Sequence, residues 1–276
     1  MAVGVIALVF VAGWWMLNRD AAVGDDELRP LAAYRPPDMH ALTVLPDDRD
    51  ALLFGSHRGI LVSRDGGRSW LPIGPSGDAM GIAMPPGSET AYAAGHDVFF
   101  RSEDAGRSWT EIRPELPGTD IHGLAASPLR PGIFYAHVVG HGLYRSDDAG
   151  QSWRPAGTLP GSTMALAVAT AEGRDVLFAM TMEGVLRSAD GAATWERIPE
   201  LGGSYVSAAG AMVYAASGST IYVSSDGGVR WERRAFPENA VLIAPAPTAP
   251  EIVYVVTRGH VVWRSTDGGA TWERVG

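Results

Sequence analysis

One eight-residue motif, Ser-x-Asp-x-Gly-x-x-Trp, recurs six times in the 276 residues and constrains the fold more than any other feature. The tryptophans of successive copies are 36 to 44 residues apart, which leaves room for four short strands in each interval. Repeats of about forty residues with several short strands each are typical of a β-propeller. The copies are Ser63/Asp65/Gly67/Trp70, Ser102/Asp104/Gly106/Trp109, Ser146/Asp148/Gly150/Trp153, Ser188/Asp190/Trp195 (with Ala192 at the glycine position), Ser224/Asp226/Gly228/Trp231 and Ser265/Asp267/Gly269/Trp272.

We therefore predict an all-β fold, a six-bladed β-propeller of four-stranded antiparallel blades over residues 39–276. The blades are expected to begin near residues 41, 80, 121, 164, 204 and 240, with the motif as the turn between the third and fourth strands of each. No strand is left over at the C-terminus to complete the first blade. We therefore expect the ring to close through side-chain packing between the first and last blades.

The residues of the motif suit a structural role. The aspartate can accept hydrogen bonds from backbone N–H groups two or three residues further on, and the glycine permits the positive φ of such a turn. The tryptophan is expected to begin the fourth strand and to cover the apolar layer of its blade. Six equivalent copies around a ring cannot share one site, so we predict that the motif holds the fold together and is not catalytic.

The N-terminus predicts export. Residues 2–17 are apolar without interruption and would span about 24 Å as a helix, somewhat less than the roughly 30 Å of a bilayer core. Trp14 and Trp15 suit a membrane interface. We predict a transmembrane anchor over residues 1–18, with a cleaved signal peptide as the alternative, and a propeller on the periplasmic or extracytoplasmic side. Residues 19–38 are acidic and proline-rich, which predicts an extended tether.

Composition excludes several classes of function. The net charge of −9 argues against binding nucleic acid, because no basic surplus is available to meet phosphates. The absence of cysteine excludes disulfides, thiolate metal sites and cysteine nucleophiles. We predict no bound cofactor.

The repeat resembles that of the Asp-box (BNR-repeat) propellers, which include sialidases, xyloglucan-active glycosidases, the sortilin luminal domain and the photosystem II assembly-factor propellers. The resemblance covers about residues 40–276 and is clearest over residues 144–153, Tyr-Arg-Ser-Asp-Asp-Ala-Gly-Gln-Ser-Trp, preceded by His122-Gly123-Leu124. It implies the propeller fold and, because many activities share that fold, it does not select one function. We call the motif the Asp box.

The resemblance to sialidases does not extend to the residues of an active site. Tyr34-Arg35-Pro36-Pro37 is similar to the family's first arginine motif, but it lies in the predicted tether and lacks the isoleucine. A glycosidase needs two carboxylates facing each other across the scissile bond. The expected innermost strands are small and apolar instead, and Glu183, at a turn between second and third strands, is expected to be solvated. We predict no catalytic residue. The inner segments are Ala41-Leu42-Thr43-Val44, Gly81-Ile82-Ala83-Met84, Gly123-Leu124-Ala125-Ala126 and Ala165-Leu166-Ala167-Val168.

Four histidines recur at the turn between the second and third strands of a repeat, and two more stand at the start of a first strand. Both places lie at the end of the propeller opposite the Asp boxes, so six of the seven histidines are expected at that end. A metal site, a redox-partner site, a pH-sensitive docking face and simple descent from a common repeat all remain open. We expect equivalent turns to be about 10 Å apart, too far for bonds of about 2 Å to one ion. We therefore predict no metal site and propose a candidate docking face: His40, His57, His96, His122, His141 and His260.

These observations predict a non-catalytic, membrane-anchored propeller that acts as an accessory, assembly or stabilising subunit of a membrane protein complex. The most concrete partner, by resemblance, is a photosynthetic reaction-centre or other electron-transfer complex. Contact with the lipid bilayer is expected through residues 2–17. The alternative is an exported glycoside hydrolase of the sialidase kind or a glycan-binding lectin. Because the tether is expected to enter at the start of the first blade, we expect the histidine-bearing end to face the membrane or the partner.

Overall fold

The computed structural model describes residues 28–36 and 38–276. These residues form one short helix, α1 (Leu31–Tyr34), and five antiparallel β-sheets arranged as a propeller. The predicted anchor, residues 1–18, lies outside the described residues, as does the first part of the predicted tether. Within the part of the chain that is described, no helix has the length and apolar character needed to cross a bilayer.

Four sheets have four strands each, paired in chain order from the channel outwards. Their bounds agree with the predicted repeats to within a few residues. The first two sheets are β1 (Ala41–Leu45), β2 (Asp48–Ser56), β3 (Gly59–Ser63) and β4 (Leu71–Ile73), then β5 (Gly81–Ala83), β6 (Ala91–Ala94), β7 (Phe99–Ser102) and β8 (Thr110–Glu111). The next two are β9 (Ile121–Ala126), β10 (Phe134–Val138), β11 (Gly142–Ser146) and β12 (Arg154–Gly157), then β13 (Thr163–Ala171), β14 (Arg174–Thr181), β15 (Gly184–Ser188) and β16 (Glu196–Ile198).

The fifth sheet corrects the predicted number of blades. It has six strands, because the last two repeats are joined by long strands that run on from one repeat unit to the next. β18 pairs with β17 through its first half and with β19 through its second, and Gly218 pairs with Ala240 where β19 turns inwards towards β20. The prediction of six blades is therefore wrong, and the described residues form five. The strands are β17 (Tyr205–Ala209), β18 (Met212–Ser224), β19 (Glu232–Ala246), β20 (Ala249–Thr257), β21 (Val262–Ser265) and β22 (Glu273–Arg274).

The ring closes through side chains, as the lack of a spare C-terminal strand predicts. The inner strands contact each other in chain order, and β19 contacts β1. Leu42 and Leu52 from the first sheet pack in one core with Leu242 and Tyr254 from the last. The Tyr254 hydroxyl also donates to the carbonyl oxygen of Arg49 at 3.0 Å. Arg264 Nη2 also lies 3.2 Å from Asp50 Oδ1, so buried apolar area and several side-chain contacts together replace the strand exchange that closes many propellers.

Each Asp box is closed by its own hydrogen bonds. The serine Oγ lies 2.8 Å from the aspartate Oδ1 in all six copies. In the second box, Asp104 Oδ1 also accepts the backbone N–H groups of Arg107 and Ser108, at 3.0 and 2.8 Å. These donors are three and four residues further on, not the two or three expected. Burial opposes ionisation, but the hydrogen bonds from Ser108, Ser102 and Arg107 lower the pKa of Asp104 to about 2. The hydrogen bonds of the Asp104 carboxylate are therefore made within its own turn.

The glycines of the boxes have a second role besides permitting the predicted positive φ. Their φ values are indeed positive, and each N–H donates to the serine Oγ of its own box at 2.8 or 2.9 Å. In addition, a Cβ atom at this position would lie within 3.2 Å of another side chain in every case. The glycine is therefore also a packing residue, a role that the turn chemistry did not predict. These glycines are Gly67, Gly106, Gly150, Gly228 and Gly269.

The tryptophans of the boxes differ from the prediction in one respect. Each stands immediately before the fourth strand of its repeat and does not begin it, since that strand starts at the following residue. Trp70 and Trp109 are buried. The other four are half-buried and pack against the apolar core, as predicted: Trp153, Trp195, Trp231 and Trp272.

Local packing explains why the indole rings differ in burial. Trp70 is covered by the segment that precedes the first sheet, and the Trp109 ring packs against Gly74 of the first repeat. The half-buried Trp153 and Trp231 still donate their ring N–H to the carbonyl oxygens of Gly150 and Gly228, both at 3.2 Å. This bond therefore holds the ring over its own turn where no neighbouring segment covers it.

Two boxes lack that indole hydrogen bond. Trp195 Nε1 and Trp272 Nε1 have no partner among the described residues. In the fourth box Ala192 replaces the glycine. In the last box the Trp272 ring packs edge-on against Phe236, with ring centroids 5.1 Å apart. The tryptophan is thus the least uniform residue of the motif, whereas the serine–aspartate contact is the same in every copy.

The described end of the predicted tether is not extended. Leu31 in α1 is buried in the core of the first sheet, and Arg29 exchanges two backbone hydrogen bonds with Trp70 of the first Asp box. The Tyr34 hydroxyl donates to the Trp70 carbonyl oxygen at 2.8 Å. The chain therefore reaches the propeller beside Trp70, at the end that carries the Asp boxes. The expectation that the histidine-bearing end faces the membrane rested on the chain entering there. The position at which the chain reaches the propeller does not support it.

Candidate functional site

Four of the predicted histidines meet at one end of the propeller, here called the histidine end. His57 lies in the turn between β2 and β3, and His96 in the turn between β6 and β7. His40 precedes β1, and His122 is the second residue of β9. Strand direction alternates within each sheet, so these positions share one end, opposite the Asp boxes.

The rings of these histidines form a continuous row. Ring centroids are 4.4 Å apart for His40 and His57, 5.9 Å for His57 and His96, and 5.0 Å for His96 and His122. His57 and His96, in equivalent turns of neighbouring repeats, therefore bring their rings closer together than the spacing of about 10 Å expected for the turns themselves. A close backbone contact lies nearby, because a Cβ atom on Gly55 would overlap the Ala79 carbonyl oxygen at the start of the next repeat.

Three aspartates alternate with the histidines. His57 Nδ1 lies 2.7 Å from Asp38 Oδ2, and His57 Nε2 lies 3.4 Å from Asp78 Oδ2. His96 Nδ1 makes a short contact with the same Asp78 oxygen, while its Nε2 is 3.6 Å from Asp120 Oδ1. The resulting histidine–aspartate row comprises Asp38, His40, His57, Asp78, His96, Asp120 and His122.

Sequence reasoning missed these aspartates, although a signal was present. Asp38, Asp78 and Asp120 each stand three residues before a small residue of an innermost strand, which is Ala41, Gly81 or Gly123. The pattern is visible only when the repeats are aligned on the first strand rather than on the Asp box. The Asp78 side chain is 9% exposed, and its Oδ1 has no hydrogen-bond partner among the described residues.

The remaining histidines are placed differently. His260 Nε2 lies 3.0 Å from the carbonyl oxygen of Pro36, and His141 lies beside Gly118. Neither makes a ring contact with the described part of the row. His137, expected inside a strand, is buried in β10. Burial, together with the nearby His122, lowers the pKa of His137 to about 4, despite the opposing charge of Asp120.

A second feature of the histidine end is a depression lined by methionines together with polar residues such as Asn239 and Arg258. The depression has a volume of about 680 Å³, and its methionines are Met39, Met164, Met180 and Met182. Met182 is 80% exposed, and Met164 is 39% exposed. Methionine is flexible and polarizable, and it is overused on surfaces that bind other polypeptides. These methionines are scattered through the chain, so only the fold brings them together, and the sequence analysis did not single them out.

The part of the central channel that the structure describes has no pair of carboxylates in its lining. Its cavity, of about 110 Å³, is lined mainly by small and aliphatic side chains of the innermost strands, among them Leu42, Ile82, Leu124 and Leu166. No aspartate or glutamate is among the described lining residues. Glu183, the one acid singled out from the sequence, is an exposed side chain that accepts the Ser162 hydroxyl at 2.6 Å. The described lining of the channel therefore does not contain the two facing acids of a glycosidase.

The last Asp box decides the family comparison, because the sequence model of the BNR/Asp-box repeat matches residues 263–274. The chain carries a BNR/Asp-box repeat. The resemblance to Asp-box propellers is confirmed. No curated protein matches the chain in sequence.

Solved structures with the same fold include two of YCF48. The structure of YCF48 bound to a D1 peptide is 18% identical and has a TM-score of 0.54, covering 86% of this chain and 81% of that one. YCF48 from Cyanidioschyzon merolae is also 18% identical, with a TM-score of 0.52, and the match covers 86% of this chain and 84% of that one.

A glycosidase has the same fold as well. The GH74 enzyme of Niastella koreensis is 16% identical and has a TM-score of 0.61. The match covers 84% of this chain but only 44% of the enzyme, so this chain spans less than half of that protein. At these identities the comparisons show a shared propeller fold and nothing about activity.

Proposed function

We propose that this protein is a non-catalytic accessory propeller that binds a polypeptide segment of a membrane protein complex at its histidine end. In this proposal residues 2–17 anchor the protein in the same membrane, and the propeller is exported. The partner would be a subunit of a photosynthetic reaction-centre or other electron-transfer complex. The resemblance to photosystem II assembly-factor propellers supports this partner, as does a similar fold solved with a bound D1 peptide.

The single observation that carries the proposal is that two different surfaces lie side by side at the histidine end. The depression offers exposed methionine side chains for apolar contact, and the adjoining histidine–aspartate row carries three carboxylates. An apolar anchor beside charged groups is the arrangement by which a surface binds an extended or looped segment and fixes its register. We expect the bound segment to place apolar side chains on Met164 and Met182 and a cationic side chain near Asp38.

The glycoside hydrolase or lectin remains the second hypothesis, and the observation that favours it is the fold shared with the GH74 enzyme. Against it stands the channel lining, in which no carboxylate is found among the described residues. A purified chain that hydrolysed a glycoside panel without any protein partner would reverse the order of the two hypotheses.

Site-specific photo-cross-linking tests the docking end. A photoreactive phenylalanine analogue replaces Met182 at the histidine end or, as the matched control, Val229, which is 64% exposed in the fifth Asp box at the opposite end. We expect the full chain, expressed in its own membranes, to form a cross-link to a membrane subunit from position 182 and not from position 229. Cross-links from position 229 alone would refute docking at the histidine end.

Introducing an acidic side chain at each of the same two positions gives a second test. Met182→Asp is expected to abolish co-purification of the membrane subunit in mild detergent, whereas Val229→Asp should leave it within about twofold of the wild type. Both variants change an exposed apolar side chain, so neither should affect folding by more than about 0.5 kcal/mol. Equal retention of the partner by both variants would contradict the proposal.

A further inference from the structure

Three ligand atoms in the histidine–aspartate row form a nearly equilateral triangle. His96 Nε2 and His122 Nε2 are 3.1 Å apart, and His122 Nε2 is 3.0 Å from Asp120 Oδ1. The third edge, from His96 Nε2 to Asp120 Oδ1, is 3.6 Å. Two imidazole nitrogens and one carboxylate oxygen therefore converge on a common point.

These edges match those of a tetrahedral metal site. Zinc binds histidine nitrogen and carboxylate oxygen at about 2.0–2.2 Å, so two ligands of a tetrahedral ion are roughly 3.3 Å apart. The three observed distances lie close to this value on either side. We propose that His96, Asp120 and His122 bind a divalent transition-metal ion, Zn²⁺ in the first instance, with the fourth coordination position open to solvent.

The surroundings of His96 favour metal binding. Its Nδ1 contacts the buried carboxylate of Asp78, so in the neutral ring Nδ1 carries the hydrogen and Nε2 carries a lone pair. Without an ion this lone pair accepts from His122 Nε2 at 3.1 Å, and a metal ion would take the place of that hydrogen. A carboxylate behind a histidine ligand is the usual arrangement at zinc sites, where it fixes the ring and makes the ligand nitrogen more basic. Asp78 is thus a positioning residue for His96.

Asp120 leaves an acceptor unused. The Asp120 side chain is 44% exposed, but its Oδ1 is buried and has no hydrogen-bond partner among the described residues, although His122 Nε2 lies only 3.0 Å away. A cation between the ligands would bring these atoms this close without a direct hydrogen bond between them. A buried carboxylate oxygen with no partner is costly, and a metal ion would satisfy it.

The backbone holds the three ligands in place before any ion binds. His96 and Asp120 lie opposite each other in an antiparallel bridge. The N–H of Ile121 donates to the Gly95 carbonyl oxygen at 3.2 Å, and the N–H of Asp97 donates to that of Thr119 at 3.1 Å. The pairing of β9 with β10 is irregular at His122, and His122 Nε2 lies 3.0 Å from Asp120 Oδ1. A preformed site of this kind needs little reorganisation to bind an ion.

This site goes beyond the proposed docking function and does not depend on it, since the ion is held by this chain alone. Calorimetry on the full chain in detergent, purified through a tag without histidine and stripped with a chelator, measures Zn²⁺ binding in the absence of any partner. We expect one tight site per chain. Co²⁺ in its place should give the intense visible absorption of a tetrahedral ion.

Matched variants assign the ligands. Asp120→Asn keeps the shape of the side chain and should weaken Zn²⁺ binding at least tenfold, as should His122→Gln. Asp78→Asn is expected to weaken it about tenfold while keeping one ion per chain. His141→Gln, an exposed histidine in the equivalent turn of the third repeat, should bind within twofold of the wild type. Circular dichroism and the thermal unfolding midpoint confirm that each variant is folded.

The contrary results are equally definite. If the wild type fails to bind Zn²⁺ stoichiometrically, or if Asp120→Asn binds as tightly as the wild type, the proposal is wrong. Equal loss in His141→Gln and Asp120→Asn would mean that surface histidines bind the ion non-specifically. Loss of zinc binding with intact cross-linking from position 182 would leave the docking function standing, and the reverse result would leave the metal site standing.

Discussion

Gly95 packs so closely against Asp78 that a Cβ atom on this glycine would overlap the Asp78 carbonyl oxygen. The contact joins the turn of the second repeat to the residue that begins that repeat, and it brings the next residue, His96, onto the Asp78 carboxylate. The histidine–aspartate row forms because the backbones at Gly95 and Asp78 are in direct contact, with no side chain between them.

The first prediction follows from that contact. Gly95→Ala should lower the free energy of unfolding by about 1–3 kcal/mol, the usual cost of overpacking, and weaken Zn²⁺ binding at least tenfold by moving His96 away from Asp120. Gly161→Ala is the control, because a Cβ there has open space and the backbone φ is not positive. Chemical denaturation and calorimetry measure the two effects. Wild-type zinc affinity in Gly95→Ala would show that the contact does not position the ligands.

The second prediction concerns the Asp-box glycine. Gly150 has a φ of +79°, and a Cβ on it would lie 2.5 Å from the Tyr92 hydroxyl oxygen. Gly191, with a φ of +77°, has no atom within 4 Å of the same position. Alanine at either site should cost about 1–2 kcal/mol for the left-handed backbone, with a further 1–3 kcal/mol or so at Gly150 from overpacking.

Urea denaturation of Gly150→Ala and Gly191→Ala tests this difference. Alanine is tolerable in the turn itself, since Ala192 already occupies the glycine position of the fourth box with a φ of 76°. Equal destabilisation by the two substitutions would mean that Tyr92 moves aside at no cost, which would contradict the close packing between the second and third repeats.

The third prediction tests ring closure. The Tyr254 hydroxyl donates to the Arg49 carbonyl oxygen and accepts from Arg264 Nε, both at 3.0 Å. Tyr254→Phe leaves these partners unsatisfied and should reduce stability by about 1–2 kcal/mol. Tyr222→Phe is the matched control, because this half-buried ring contacts Arg233 and should change stability by no more than about 0.5 kcal/mol. Similar thermal unfolding midpoints for the two variants would show that side-chain hydrogen bonds do not help to close the ring.

The fourth prediction is a pH dependence. Burial and the nearby His122 lower the pKa of His137 to about 4, from an ordinary value of 6.5. The folded protein therefore resists protonation where the unfolded chain accepts it. Stability from this group is present above pH 6.5 and is lost as the pH falls towards 4, by on the order of 2–3 kcal/mol at most. His40, whose pKa burial also lowers, contributes with the same sign.

Unfolding free energies between pH 7 and pH 4.5 measure this loss. His137→Leu removes the titrating group and should flatten part of the slope. Val138→Ala, on the same strand, should lower stability at every pH while keeping the wild-type slope. An unchanged slope in His137→Leu would mean that His137 does not remain neutral in the folded protein.

The Asp boxes show what local sequence determines. Each box is closed by bonds between residues two to four positions apart, so Ser102, Asp104 and Trp109 specify their turn whatever surrounds them. The propeller fold and the bounds of most strands follow from the spacing of the boxes. The burial of each tryptophan does not, because it depends on which segment packs over the ring. Nor does the merging of the last two repeats, which depends on β18 and β19 continuing where other repeats turn.

The candidate site was only half visible in the sequence. The histidines stand out because they recur at equivalent places in the repeat, and their common end follows from strand alternation. Asp78 and Asp120 each lie at the start of a repeat and face a histidine of the repeat before, and Met164 and Met182 share no motif with Met39. No periodic pattern centred on the Asp box links these residues, so their convergence could not be predicted.

The sequence by itself determined the repeat, the turn chemistry and the sidedness of the histidines, since each depends on residues a few positions apart or on strand direction. The tertiary structure decided the number of sheets, the packing of residues 28–36 beside Trp70, and the distances within the histidine–aspartate row. Those distances depend on how closely Gly55 and Gly95 let one backbone approach another. A difference of a few ångströms there separates a row of independent histidines from a set of metal ligands.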